Sequence, residues 1–498
     1  MDKDDCLFYD DFMKKIHRRL IFWVFFLLFI LSTPVAILYS QGYRFDQYSR
    51  IFIRSGSITV KSVPSSASVF LNGKLQSGRA LDIINNSITL NGLRPGSYAV
   101  RVSANKYQDW EKQIDVHSGI SSEYWNVFLS PNDPTMKELP VSGVERFFPS
   151  PFGKRIAYTS HAQANLEIHS LDITSGESLL AYSGENLEFS NNKSENLEWN
   201  FKERLMAGPV TRNENKDYLI IDINKEYDPA FLSDLTSLRD FRSARWSPKD
   251  QWTLYFLGRS SEKAPQILYK YNVSTKELTE VASDIATFDF SGDSIYAVRH
   301  NNILYKLDLD GNETSQVTST PLSSDDLGDF SRLIVYDENR QALISEKGVL
   351  FVHNNGSENT IRQIADNVND IQFSDDGKKM IFWGNNDISV LFLRPWDVQP
   401  LRAENEIQKI IRSSVPFDNV FWYRDYEHIL FTYQKKIKII ELDQRDHRIL
   451  ANIFENGLDN FPAAYDSRNS FYYFVGSGNA SNTLFQMQLP EKTGFFGG

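Results

Sequence analysis

A chain of 498 residues with 41% hydrophobic and 23% charged side chains has ample apolar material for globular cores, unlike a disordered chain, and too little for a multi-span membrane protein. The 53 basic and 64 acidic residues leave a net charge of −11, which repels polyphosphate, so nucleic acid is not an expected partner. The single cysteine, Cys6, rules out an intramolecular disulfide, a multi-thiolate zinc site and a CxxC redox pair.

The first element is apolar. From Leu20 to Ser40 the chain reads LIFWVFFLLFILSTPVAILYS, without a charged side chain. At 1.5 Å per residue such a helix reaches roughly 30 Å, about the thickness of a bilayer's hydrocarbon core. This predicts a transmembrane helix over residues 20–41. Lys14, Lys15, Arg18 and Arg19 precede it, so the positive-inside rule makes residues 1–19 a cytoplasmic tail and puts the C-terminal bulk outside a cell membrane crossed once. Arg44, Arg50 and Arg54 follow the span and weaken that bias. The rival reading is a cleaved signal peptide, with Leu20 to Leu31 as its apolar region and STPVA supplying small residues. Against it stand five acidic residues among the first eleven and the apolar continuation AILY.

Between residues 55 and 131 the periodicity is two. ITVKSVP, SVFLNG, ITLNGL, SYAVRVSA and WEKQIDV are the expected strands, with Asn72-Gly73 and Pro95-Gly96 as turns. In SYAVRVSA, Tyr98, Val100 and Val102 share one face, as a half-buried antiparallel strand requires. The stretches GSITVKSVPSSASVFLNGK and LRPGSYAVRVSANKYQDWEKQIDV resemble the PEGA domain, a small extracytoplasmic β-sandwich. Two departures stand out: Pro64-Ser65-Ser66-Ala67 replaces Pro-Glu-Gly-Ala, and Asn105-Lys106-Tyr107 lacks the usual glycine before its tyrosine. The resemblance implies a surface-side spacer or adhesion module and no catalytic residues.

From Val144 onward a unit of about 45 residues recurs, the period of a propeller blade. FFPSPFGKRIAYTS, LEWNFKERLMAG, ARWSPKDQWTLYFLG, FDFSGDSIYAVRH, LIVYDENRQALISE, IQFSDDGKKMIFWG, VFWYRDYEHILFTY and FPAAYDSRNSFYYFVG align on Pro149, Asn200, Ser247, Ser291, Tyr336, Ser374, Arg424 and Asp466. Runs such as NLEIHSLDITSG and KIKIIELDQRD supply a second strand ending near Asp. WSPKD and FSDDGKKMIF resemble TolB-like and WD-like propeller repeats. The expected fold class is therefore mainly β: one transmembrane helix, a PEGA-like sandwich at 55–131, and a propeller at 137–491 of eight blades, or seven if the weak LIVYDENRQALISE unit is not one. The alternative is a set of unrelated hairpins in two sandwiches. Since a ring has no free ends, strands near Phe471–Val475 and Leu484–Leu489 should share a sheet with chain from Met136 to Phe148.

No chemistry stands out. The chain lacks a G-x-S-x-G elbow and an H-E-x-x-H pair. Gly73 to Ala80 has phosphate-loop glycine spacing, but Arg79 and Ala80 replace the Lys and hydroxyl residue. The calcium-like Asp308-Leu309-Asp310-Gly311-Asn312-Glu313 lacks the glycine and glutamate positions of an EF-hand and reads as a turn. Trp199, Trp246, Trp252, Trp383 and Trp422 suit packing between blades better than a sugar platform. The expected assignment has no catalytic, cofactor-binding or metal residues and no cofactor. It describes a non-enzymatic, membrane-anchored extracytoplasmic scaffold whose partners are the lipid bilayer and a protein or cell-envelope glycan. The alternative is a glycan-acting enzyme with its site in the propeller channel.

Overall fold

The computed structural model describes residues 15–46, 50–76, 87–190, 195–319, 321–322, 330–356, 359–478 and 481–490, and divides into two compact units that meet in sequence between Leu129 and Ser130. Residues 1–14 of the expected tail, 77–80 of the phosphate-loop look-alike and Glu491 lie outside the described residues.

The first unit begins with helix Lys15–Ser40, of which Arg19–Ser40 is apolar enough and long enough to cross a membrane. Its large apolar side chains, Leu20 through Leu31, are all exposed, so no protein core covers them. The hydroxyls of Thr33 and Ser32 both donate to the Phe29 carbonyl, at 2.6 and 3.3 Å, which satisfies them within the helix itself. Arg44 closes the helix: its guanidinium donates to Tyr39 O at 3.0 Å and Tyr43 O at 2.9 Å and lies 3.6 Å from the Tyr39 ring centroid. Thus Arg44 acts as a helix cap.

A two-stranded hairpin, Tyr43–Asp46 with Ile51–Arg54, follows the helix, and the expected strand set did not include it. Beyond it two sheets form a sandwich. One orders Ser87–Leu93, Gly56–Val63 and Ser121–Phe128; the other orders Lys74–Gln76, Ser68–Leu71, Gly96–Ser103 and Trp110–Val116. All five expected strands are present. The strands Lys74–Gln76 and Ser121–Phe128 are additions; the second pairs in parallel with Gly56–Val63, so no local turn announces it. Val100 and Val102 are buried while Ala99 is exposed, and Trp110, Ile114 and Val116 alternate inward along their strand. Trp110 meets Tyr124 edge-on at 5.5 Å, joining the two sheets. At the unusual knuckle Lys106 adopts φ 68°, so the backbone keeps a glycine-type conformation without the glycine.

Among the described residues the second unit contains eight sheets in chain order. Six follow the chain strand by strand; in the second blade Leu187–Phe189 and Glu198–Trp199 both pair with Leu205–Arg212, and LIVYDENRQALISE supplies the first two strands of the fifth, Phe330–Asp337 and Arg340–Ser345. Eight blades are therefore present. The eighth orders Ala463–Asp466, Phe471–Ser477, Asn482–Gln488 and then Met136–Ser142, so both ends of the region build one sheet. The closing strand ends at Ser142, short of the expected Phe148, because Arg146–Pro149 is already the innermost strand of the first blade. Each aromatic pair before the turn is itself a strand, which makes the Asp-ending runs the third strand of a blade: Asn165–Asp172, for example, pairs with Ser178–Glu185 as the outer hairpin.

Local chemistry sets the hairpins. Ser150, Asn200, Ser247, Ser374 and Tyr423 each donate the N–H to a carbonyl five or six residues on, closing the inner turn. The alignment points Pro149 and Arg424 are accordingly one residue out of phase with Ser150 and Tyr423. In WSPKD the Ser247 hydroxyl accepts the N–H groups of Lys249 and Asp250 at 3.3 and 3.1 Å. At the outer turn Asp172 accepts from Thr174 and Ser175, and Asn272 from Ser274 and Thr275. Asp308 does the same for Asp310 and Asn312, which makes the calcium-like run a side-chain-capped turn.

Candidate functional site

The innermost strands face one another around the propeller axis, and their residues form the site most open to functional reading. Two positions alternate there. The residue just before each turn is aromatic in most blades and packs between blades. Trp199, Trp246 and Trp422 are buried, and each donates its indole N–H to the preceding inner strand, at Phe148 O (3.1 Å), Glu198 O (3.1 Å) and Gln372 O (3.0 Å). Trp252 lies against Arg204 and Tyr227, and Trp383 packs on the core between the sixth and seventh blades. These tryptophans thus occupy the packing role expected of them.

One residue earlier the side chains are charged in three successive blades: Glu198, Arg245 and Asp289. Arg245 Nη1 donates to Glu198 Oε1 at 2.6 Å, and its Nε lies 4.0 Å from Asp289 Oδ1. Asp289 Oδ2 in turn accepts the Val335 N–H of the fifth blade at 3.0 Å. Arg332 of that blade donates to Asp370 of the sixth at 2.5 Å. Burial pushes the Glu198 and Asp289 carboxyls above the ordinary carboxylate range, partly offset by Arg245. The field of Glu198 holds the Arg245 guanidinium on its charged side.

At the remaining junctions the ties in or beside the inner strands end on neutral acceptors. Arg146 donates to Ser190 O between the first and second blades, and its guanidinium lies 5.0 Å from the Phe189 ring centroid. The Trp422 N–H reaches Gln372 Oε1 at 2.9 Å between the sixth and seventh. Asn419 Nδ2 reaches Phe461 O at 2.9 Å between the seventh and eighth, and Arg468 Nη1 reaches Pro151 O at 2.7 Å between the eighth and first. Every junction of the ring thus carries a polar tie.

Farther from the axis, the fully buried Lys379 of the sixth blade pairs with Glu427 of the seventh and lies 3.8 Å from the Trp396 ring centroid. Beside it Asp425 accepts from the His428 ring at 2.9 Å; burial opposes the imidazolium, but Asp425 outweighs it and raises the His428 pKa. The other histidines are dispersed: His161 bonds Glu145 in the first blade and His353 bonds Gln341 in the fifth.

The sequence reading named none of the channel charges. A signal was present, since Glu-Trp, Arg-Trp and Asp-Phe fall at one repeat position with signs alternating −, +, −. Chemically, the arrangement spends each carboxylate on a neighbouring cation or N–H.

Among solved structures, the chain is similar to the C-terminal WD40 domain of Sif2, with 11% identity over 72% of this chain and 99% of that one, at a TM-score of 0.47. The Dos1 propeller gives 13% identity over 72% and 96%, at a TM-score of 0.48. An oligogalacturonate lyase from Vibrio parahaemolyticus gives 11% over 72% and 94%, at 0.41. The sheet order, independent of these likenesses, carries the propeller assignment. No curated protein matches the chain. Residues 55–127 match the PEGA domain family, so the chain combines an N-terminal apolar helix, a PEGA domain and an eight-bladed β-propeller.

Proposed function

We propose that this is a single-pass, membrane-anchored binding protein with its N-terminus in the cytoplasm, whose propeller engages a protein or a cell-envelope glycan outside the membrane and performs no catalysis. The observation that carries the reading is the use of Glu198, Asp289 and Asp370 as ties between blades. A glycoside-cleaving channel needs two carboxyl groups facing a bond across roughly 5 to 10 Å, and here Arg245 lies between the first two. The apolar helix followed by a PEGA domain supports the placement, because PEGA domains are extracytoplasmic.

The orientation is tested with full-length protein. Alkaline carbonate should leave it in the membrane fraction, and a C-terminal reporter should be active only outside the cytoplasm; release of the intact chain, or a mature N-terminus near Gln41, refutes the anchor. The absence of catalysis is tested by incubating the protein with envelope glycan and measuring new reducing ends. Turnover lost in both Glu198→Gln and Asp289→Asn, with the fold retained, would establish the enzyme reading instead.

A further inference from the structure

We propose that the hairpin Tyr43–Asp46/Ile51–Arg54 is a membrane-interface element, lying among the phospholipid headgroups of the leaflet where helix Lys15–Ser40 emerges. The inference rests on that helix spanning the bilayer.

A lone two-stranded hairpin is marginal in water unless something covers an apolar face. This one exposes its apolar side chains: Phe45 is 53% exposed, Ile51 56% and Phe52 44%, with the two phenyl rings meeting edge-on at 5.4 Å. Its position is fixed by two ties. Gly42 O accepts both the N–H and the hydroxyl of Ser55, at 2.9 and 2.7 Å, so the hairpin's base is clasped directly to the helix end. On the other side Ser118 donates to Arg54 O at 3.1 Å and the Gly119 N–H to Ser55 O at 3.2 Å, in the turn that carries the exposed Ile120.

These clasps decide the occupant. If Arg19–Ser40 fills the hydrocarbon layer, a segment tied at residue 42 is held where that layer ends. That zone favours aromatic side chains. It also supplies phosphates for the exposed Arg50 and Arg54. Apolar rings with flanking guanidiniums match a phospholipid interface.

The test uses the full chain in vesicles of phosphatidylcholine and phosphatidylglycerol. In a Cys6→Ser background, single cysteines at Leu28, Ile51, Phe52 and Leu75 are each labelled with a polarity-sensitive fluorophore. Leu75 lies on the sandwich edge opposite Trp110–Val116 and is the solvent reference. Labels at 51 and 52 should shift to the blue and be quenched by lipids spin-labelled near the headgroup, while the label at 75 does neither. If 28 is quenched by chain-labelled lipids but 51 and 52 behave as 75 does, the hairpin proposal is overturned and the anchor stands. If 28 also behaves as 75 does, the anchor reading falls and this inference with it. Using both 51 and 52 guards against one substitution spoiling the fold.

Discussion

Two arcs of the propeller's inner ring do the same mechanical work with different chemistry. From the second blade to the sixth the acceptors are carboxylates, Glu198, Asp289 and Asp370. From the sixth round to the first the acceptors in and beside the inner strands are neutral, Gln372, Phe461 and Pro151, and the charged pair of that arc, Lys379 with Glu427, lies farther from the axis. A charged tie in a half-buried channel is geometrically strict but leaves an uncompensated charge when broken, whereas a neutral tie leaves one unsatisfied group. The comparison teaches that the ring's sensitivity to mutation and pH should be uneven even though its closure is continuous.

The largest effect should come from cutting the ring where both arcs depend on it. Removing residues after Asp459 deletes three strands of the closing sheet and leaves Met136–Ser142 without its partner. The edge and the apolar flank of the seventh blade are then exposed, so aggregation is expected in place of a soluble, shorter protein. Monomer yield by size exclusion checks this; an unchanged cooperative melt would contradict a closed ring.

Next in size is Arg245→Met, which strands two partly buried carboxylates. A loss of about 3 kcal/mol at neutral pH, the low end of what breaking a buried pair costs, is expected from denaturant unfolding. Because burial already raises Glu198 and Asp289, their orphaned forms take up protons readily. A group with a raised folded pKa adds stability below its unfolded value, near 4, and loses it as pH rises through the folded value. The deficit should therefore be smaller at pH 5 than at pH 8. A deficit independent of pH would mean that Arg245 acts through packing alone.

In the neutral arc, Trp422→Phe removes the indole donor to Gln372 O and some volume. The hydrogen bond and the desolvated carbonyl together suggest a loss of about 1–3 kcal/mol. The same measurements at pH 5 and pH 8 should give equal deficits, and a strong pH dependence would erase the distinction between the arcs.

The smallest effect lies outside both arcs and has the opposite sign. Lys106→Gly puts glycine where φ is 68° and should stabilise the PEGA domain by about 1 kcal/mol. A lower melting temperature would show that the Lys106 side chain makes a contribution exceeding the backbone strain.

Much of this architecture was legible in the residues. The apolar run had the length of a bilayer span, period-two alternation marked five sandwich strands, and the aromatic-turn-strand unit counted eight blades even through its weakest copy. Those features are local, depending on side-chain spacing along one stretch of chain. What the sequence alone did not determine involves partners far apart in the chain. The parallel strand Ser121–Phe128 has no turn to announce it. The end of the closing strand at Ser142, short of Phe148, depends on which sheet each segment joins. The hairpin at the helix exit is defined by Gly42 meeting Ser55. Glu198, Arg245 and Asp289 sit one repeat apart as isolated charges and become a chain of ties only when inner strands converge, because electrostatic interaction depends on separation in space and not along the backbone.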